Sequence, residues 1–261
     1  MSSDADKYTI KAVERSFEIL DYISERNHPV SFQEITGALN LNNNMAFRLL
    51  ASLQNSGYLQ KDEGSNCYFI SLKSLKLSRN ALRSIELRKI AFPYMEMLWS
   101  QYPNANINIA VYYQGEVLVI DRIDSQNLPR TYFTPGRVLP FHCSGLGKIL
   151  TCTLPEEEIN QLITEKGLKQ YTVHTITSPE ALKQELIKVR KEMVGRDRNE
   201  FISGDNCTAV PIFDKNRRII AGLSASALES YMSAEEIDQM FPKLQETAHR
   251  ISAVMGYDDI I

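Results

Sequence analysis

A chain of 261 residues holds a small domain beside one of ordinary size and is too long for a single small DNA-binding module. With 43% apolar and 23% charged residues it is composed like a folded soluble protein, which excludes a disordered or fibrous chain, and no run approaches the ~18 apolar residues of a membrane span. The net charge of −3 divides into about +1 over residues 1–83 (ten Lys and Arg against nine Asp and Glu) and about −4 beyond, so the sum alone announces no nucleic-acid partner.

The polar start, Met1 to Lys7, lacks the apolar core of a secretory signal. Cys67, Cys143, Cys152 and Cys207 are scattered without a C-x-x-C pair, which speaks against a disulfide framework or a zinc knuckle. A cytoplasmic chain without metal or cofactor is expected.

The first predicted helix carries Val13, Phe17, Leu20 and Ile23 on its inner side. Val30-Ser-Phe-Gln-Glu-Ile35 reads as a capping box with a hydrophobic staple: Ser31 accepts from the Glu34 amide, Glu34 reaches back, and Val30 packs on Ile35. That helix buries Phe32, Ile35, Ala38 and Leu39 and stops at Asn40, which tolerates a left-handed backbone. Asn42 caps a third helix whose Ala46, Leu49, Leu50 and Leu53 form one buried stripe, ended by Gly57. Two strands, Tyr58–Lys61 and Cys67–Ile70, then pair across the turn-rich residues 62–66 as a wing. The whole reads as a winged helix-turn-helix.

The free side of the third helix presents Asn43, Asn44, Phe47, Arg48, Ser52 and Asn55. Asn and Arg suit adenine and guanine edges, and an apolar surface can meet thymine. The cap residues Ser31 and Asn42 join Asn43, Asn44, Phe47, Arg48 and Ser52 as candidates for contact with double-stranded DNA. No acidic residue lies between Glu34 and Asp62, while Arg48 and Lys61 do, so this face meets phosphates without repulsion. Taken alone, the helix pair fits a docking surface for a protein partner equally well; the wing and the acid-free face favour DNA.

Residues Ser74 to Arg83 are helix formers and predict a linker helix. Ser84 is the expected cap of the next helix, in which Pro93 marks a kink or break. Strands follow at Ile107–Tyr113 and Val117–Asp121 around a Gln114-Gly115 turn. Pro155 opens a helix over Glu156–Ile163. Ser178-Pro179 caps another with the stripe Leu182, Leu186, Val189 and Met193. Strands Asn206–Phe213 and Arg218–Ala225 precede a capping box, Ser233-Ala-Glu-Glu236, whose helix carries Ile237, Phe241, Leu244, Ala248, Ile251 and Met255. This order predicts an α+β second domain rather than a βαβ repeat.

Chemistry is expected around Phe141-His-Cys-Ser-Gly-Leu-Gly-Lys148, where a Gly-containing turn opens a helix and exposes amides to an anion such as a carboxylate. It is not a P-loop, since Ile149 follows Lys148. Ser224 and Ser226 alternate on one strand and can face the same cavity. By their surroundings alone, Cys207 reads as a small buried hydrophobe and Asp197 as part of a solvated charged loop, Gly195–Glu200. An enzyme is the rival reading, through a Cys–His pair. His142 and Cys143 are adjacent, however, and no zinc-protease or nucleophile-elbow motif occurs.

Ala12-Val-Glu-Arg-Ser-Phe-Glu-Ile-Leu20, Phe47-Arg-Leu-Leu50, Ser56-Gly-Tyr-Leu59, Gly136-Arg-Val-Leu-Pro-Phe-His142, Ser144-Gly-Leu-Gly-Lys148, Thr175-Ile-Thr177 and Asn206-Cys-Thr-Ala-Val-Pro-Ile-Phe-Asp214 resemble the IclR family of bacterial transcription regulators. The resemblance runs in order over residues about 10 to 257. It implies a winged helix-turn-helix over residues 1–72, a linker helix over 73–84 and a GAF-like α+β effector domain over 85–261. It implies a small acid bound by the amides of Gly145 and Leu146 and by the side chains of Asp197 and Cys207, with Leu128, Thr131, Leu139 and Asp205 as further walls. It also implies self-association, as a dimer or tetramer, through the linker helix with its Leu75, Leu77 and Leu82. The sequence departs from the family at Asn44-Met45, where Ser-Thr is usual, and at Phe47, where His is frequent, so the operator does not carry over. The expected protein represses a catabolic operon, and a sugar acid or related small carboxylate controls it by shifting the spacing of paired DNA-reading heads.

Overall fold

Helices α1 (Lys11–Ser24), α2 (Phe32–Ala38), α3 (Asn43–Asn55) and α4 (Ser74–Ser84) and strands β1 (Leu59–Lys61) and β2 (Tyr68–Ile70) make up the first of two units, Met1–Ser84; the second is Ile85–Ile261. The computed structural model describes residues 9–126 and 134–258. None of its helices is long and apolar enough to cross a membrane.

In the first unit the caps act as the sequence predicts. The Ser31 side chain accepts from the Glu34 amide, and Asn42 accepts from the Met45 amide at 2.8 Å. Between the two helices Asn40 is left-handed, at φ 49°. The box at Ser31 closes on one side only, because the Glu34 carboxylate accepts from Tyr22 Oη at 3.2 Å instead of reaching back. Val30 and Ile35 are both fully buried in one cluster with Ala46, Leu49, Leu50 and Leu53, and Val30 also pairs with Tyr68 of the wing.

Two expectations fail here. Ile35 is buried, but Phe32 and Leu39 are only half covered and Ala38 is exposed. On α1, Val13 and Phe17 face outward, 48% and 59% exposed, while Ile19 and Ile23 enter the core. At about 100° per residue Phe17 and Ile19 stand about 160° apart, so the helix carries two apolar stripes. Which one is covered depends on where α2 and α3 lie.

The second unit is built on an antiparallel sheet in the order β5-β4-β3-β8-β7-β6. Its strands are β3 (Asn106–Tyr113), β4 (Glu116–Ile123), β5 (Val138–Leu139), β6 (Gly195–Arg198), β7 (Asp205–Phe213) and β8 (Ile219–Leu228). Helices α5 (Glu86–Gln101), α9 (Ala234–Gln239) and α10 (Phe241–Val254) cover one face, over Ile107, Ile109, Val210, Ile212, Leu223 and Ala225. Helices α6 (Gly145–Thr151), α7 (Glu156–Lys166) and α8 (Pro179–Glu192) cover the other, over Ala110, Val117, Val119 and Ala209. Strand alternation divides the residues between the two cores.

Three local readings are corrected. Residue Ile85, not Ser84, is the N-cap of α5, with no side-chain cap bond. The helix predicted from Ser233 to Met255 is two, broken at Met240 just before Pro242, whose missing N–H and fixed φ suit the first turn of α10. The stretch Gly195–Arg198, read as a solvated loop, is an edge strand paired with β7. It can pair because Gly195 brings no side chain to the face over which α6 runs. A Cβ on Gly195 would stand 2.3 Å from the Gly145 carbonyl oxygen, and one on Gly222 would stand 2.8 Å from Leu146 Cδ2. These two glycines let α6 lie almost on the strand backbones.

Candidate functional site

The outward face of α3 presents Asn43, Asn44, Arg48, Ser52 and Asn55, all exposed, and Phe47, whose side chain is 66% exposed. Arg48 makes no ion pair among the described residues. Ser52 Oγ donates to the Arg48 carbonyl at 2.8 Å, which leaves its lone pairs outward. Ser31 and Asn42 hold the helix starts; Asn42 keeps its NH2 group for a second contact. An isolated exposed phenylalanine is ordinary on a surface. One flanked by Asn44 and Arg48 on a carboxylate-free helix has the make-up of a base-reading face.

In the second unit, neighbouring strands place residues in rows on the face that meets α6. Ala110 pairs with Gly222, Asn108 with Ser224, Ala209 with Ser224, and Cys207 with both Ser226 and Asp197. The rows are apolar beneath α6 and turn polar where its N-terminus ends. There a small cavity is lined by Leu139, Gly145, Leu146, Asp197, Asp205, Cys207, Ser224 and Ser226, together with Asn108, Val119, Ser144 and Phe201. Of the ten residues named for an effector, these eight therefore come together; Leu128 and Thr131 lie outside the described residues.

Ser144 caps α6, accepting from the Gly147 amide at 3.0 Å and donating to the Pro140 carbonyl at 2.7 Å. The amides of Gly145 and Leu146 precede the first intrahelical bond and have no partner among the described residues. Two buried carboxyls line the same cavity. Asp197 Oδ1 accepts from the Glu200 amide at 2.7 Å and from the Phe201 amide at 3.4 Å; Oδ2 has no hydrogen bond among the described residues. The Asp205 side chain, 8% exposed, makes none either. Burial pushes the Asp197 carboxyl up to about 7, against the pull of the Glu200 amide and Lys148. Burial, and then Asp197 itself, push Asp205 up to about 8, against the pull of Arg122. Two buried acids that share a cavity resist ionising together.

Three lining residues, Asn108, Val119 and Phe201, escaped sequence reading. Asn108 had a signal, a lone amide in the apolar run Ile107-Asn-Ile-Ala-Val111. It donates to Ser224 Oγ at 3.3 Å and accepts from Arg122 at 3.1 Å. The candidate Cys–His chemistry finds no geometry. His142 Nε2 lies 3.0 Å from the Lys169 carbonyl oxygen, and burial pushes both the Cys143 and Cys207 thiols up, away from the reactive thiolate. Among the described residues no group of three His, Cys, Asp or Glu side chains is placed to hold a metal.

Comparison with known proteins agrees with this anatomy. Residues 12–63 match the pattern described as IclR helix-turn-helix domain, and residues 79–253 that of the Bacterial transcriptional regulator IclR C-terminal. The chain is 30% identical over 260 residues to the HTH-type transcriptional regulator KdgR of Escherichia coli (strain K12), spanning 99% of this chain and 98% of that one. Transcriptional repressor IclR of the same organism is 28% identical over 249 residues, 95% of this chain and 90% of its own. A solved structure of an IclR homolog complexed with 4-hydroxybenzoate, from Microbacterium hydrocarbonoxydans, shares the fold with a TM-score of 0.73 at 20% identity, over 94% of this chain and 98% of that one. The curated relatives are named as transcription regulators, not as enzymes. On its matched patterns and its full-length relatives, the chain belongs to the IclR family of bacterial transcription regulators.

Proposed function

We propose that this regulator is a cytoplasmic repressor of a catabolic operon, released from or recruited to its operator by a small hydroxylated carboxylic acid. The observation that carries the reading is the cavity: two helix-start amides and two buried carboxyls with hydrogen-bonding capacity to spare line it together. Buried polar groups are almost always partnered, so such a set fits a ligand that brings a carboxylate at one end and hydroxyls at the other. A protonated Asp197 removes the repulsion an anion would meet, and since Oδ1 already accepts from two amides, the free Oδ2–H donates to a ligand hydroxyl. Leu128 and Thr131, with Leu139 and Cys207, belong to the same reading as walls. Calorimetry with paired acids, such as gluconate and a deoxy analogue, tests it. Asp197→Ala will weaken the hydroxy acid more than the deoxy acid, because only the first loses a partner; equal losses, or none, exclude Asp197 from the site.

DNA reading is assigned to α3 through Asn43, Asn44, Phe47, Arg48 and Ser52, with Ser31 and Asn42 as its capped approaches. Arg48→Ala will cost about 1–3 kcal/mol on a selected operator if the guanidinium reads a guanine. Titration at fixed salt checks this, and unchanged affinity removes Arg48 from the interface. Self-association belongs to the same reading: Leu75 and Leu77 on α4 are 62% and 60% exposed and stand about 160° apart around the helix, so apolar surface is open to a second copy on either side. Paired heads would then read half-sites about 34–36 Å, or a multiple, apart. Tight binding by a monomer to one half-site would end that part of the proposal.

A further inference from the structure

Lys148 is almost the last residue expected in a core, yet it is 1% exposed. Its ammonium donates to Glu200 Oε1 at 2.6 Å, to the Arg196 carbonyl at 2.9 Å and to Glu185 Oε1 at 3.2 Å. A buried ion pair seldom adds net stability over apolar packing, so its retention asks for another reason. Its position offers one. Lys148 sits on α6 one turn beyond the cavity amides of Gly145 and Leu146. Glu200 belongs to the turn whose amides hold Asp197 Oδ1. That turn is fastened from outside as well, since Thr175 Oγ1 donates to the Glu200 carbonyl and Thr172 Oγ1 to the Asn199 carbonyl, each at 2.6 Å.

We propose that Lys148 and Glu200 act as positioning residues for the effector cavity: their ion pair ties the amide wall on α6 to the turn that holds the Asp197 carboxyl. The inference rests on the effector reading of the cavity, but its test needs no effector. The groups that face Asp197 are the Glu200 carboxylate on its own turn, Lys148 on α6, Asp205 and Cys207 on β7, and Cys143 just before α6, with Arg198 beside it on β6 and Arg122 of β4 acting on Asp205. Of these, Glu200 pushes the Asp197 carboxyl up and Lys148 pulls it down. The pair therefore works as two opposed charges, and removing one exposes the other.

The test is a pH titration of the Asp197 carboxyl carbon by NMR in the full chain without ligand, assigned with Asp197→Asn. Lys148→Met should move the Asp197 midpoint up by about one pH unit, and Glu200→Gln should move it down. The double variant Lys148→Met/Glu200→Gln should bring it back close to wild type. A purely structural pair would lower the melting temperature of the variants and leave the Asp197 midpoint in place. That outcome, or a double variant that shifts as far as Lys148→Met, overturns the proposal. Should Lys148→Met fail to fold, the downward shift in Glu200→Gln and its cancellation in the double variant decide the matter. Loss of acid binding in wild type would count against the effector reading and leave this titration intact.

Discussion

A hydroxylated carboxylic acid will bind this protein on the order of a hundredfold more weakly at pH 9 than at pH 6. Asp197 titrates near 7 and Asp205 near 8, both pushed up chiefly by burial. The ligand's own carboxylate stays ionised across this range, as free carboxylic acids titrate at about 3–4. Below pH 7 both cavity acids hold their protons, and the anion meets a neutral wall and the positive end of α6. Above pH 8 both are charged, and binding must first recover the proton of Asp197, the acid that meets the ligand. Each proton recovered costs about tenfold per pH unit above the group's midpoint, or ~1.4 kcal/mol. Calorimetry in buffers of different ionisation enthalpy counts the protons taken up. Asp197→Asn should flatten the profile, since Asn is neutral throughout. A profile that rises with pH would mean that an ionised Asp197 accepts from the ligand. The same groups have a sign for folding too: their raised values make the native state lose stability as pH rises from about 4 through 7 and 8.

Gly195→Ala will lower stability by about 3 kcal/mol, roughly 6–12 °C in melting temperature. Its Cβ would lie 2.3 Å from the Gly145 carbonyl oxygen and 3.1 Å from the Ile149 amide nitrogen. Both are backbone atoms of α6, so no rotamer change relieves the contact, and either α6 lifts or β6 leaves the sheet. Either movement displaces the amides of Gly145 and Leu146 from Asp197, so acid binding will fall with stability. Gly37 on α2 is the control: a Cβ there meets nothing within 4 Å, and Gly37→Ala should be neutral or stabilising by up to ~1 kcal/mol. A Gly195→Ala protein that melts like wild type would show that α6 and β6 separate at no cost.

Much of the local structure of both units was legible because its signals are short-ranged. Ser31, Asn42 and Ser178 cap helices through bonds to amides three residues on, and the α3 stripe repeats within four turns. The alternation of Ser224 and Ser226 placed both on one sheet face for the same reason. Resemblance supplied Asp197, Cys207 and the α6 amides; spacing alone left Asp197 in a loop. What stayed hidden depended on partners far along the chain.

The sequence by itself determined where the side-chain-capped helices α2, α3 and α8 begin, which side of α3 stays outside, and that the second unit is α+β. The tertiary structure alone decided which apolar stripe of α1 is covered, that Lys148 is buried, and that Asn108 and Ser224, 116 residues apart, stand side by side in one cavity. The physical reason is the range of the forces involved. Caps and stripes are settled by bonds within a turn or two, whereas the cavity exists only where antiparallel register brings six strands together and the backbone of α6 settles onto Gly195 and Gly222.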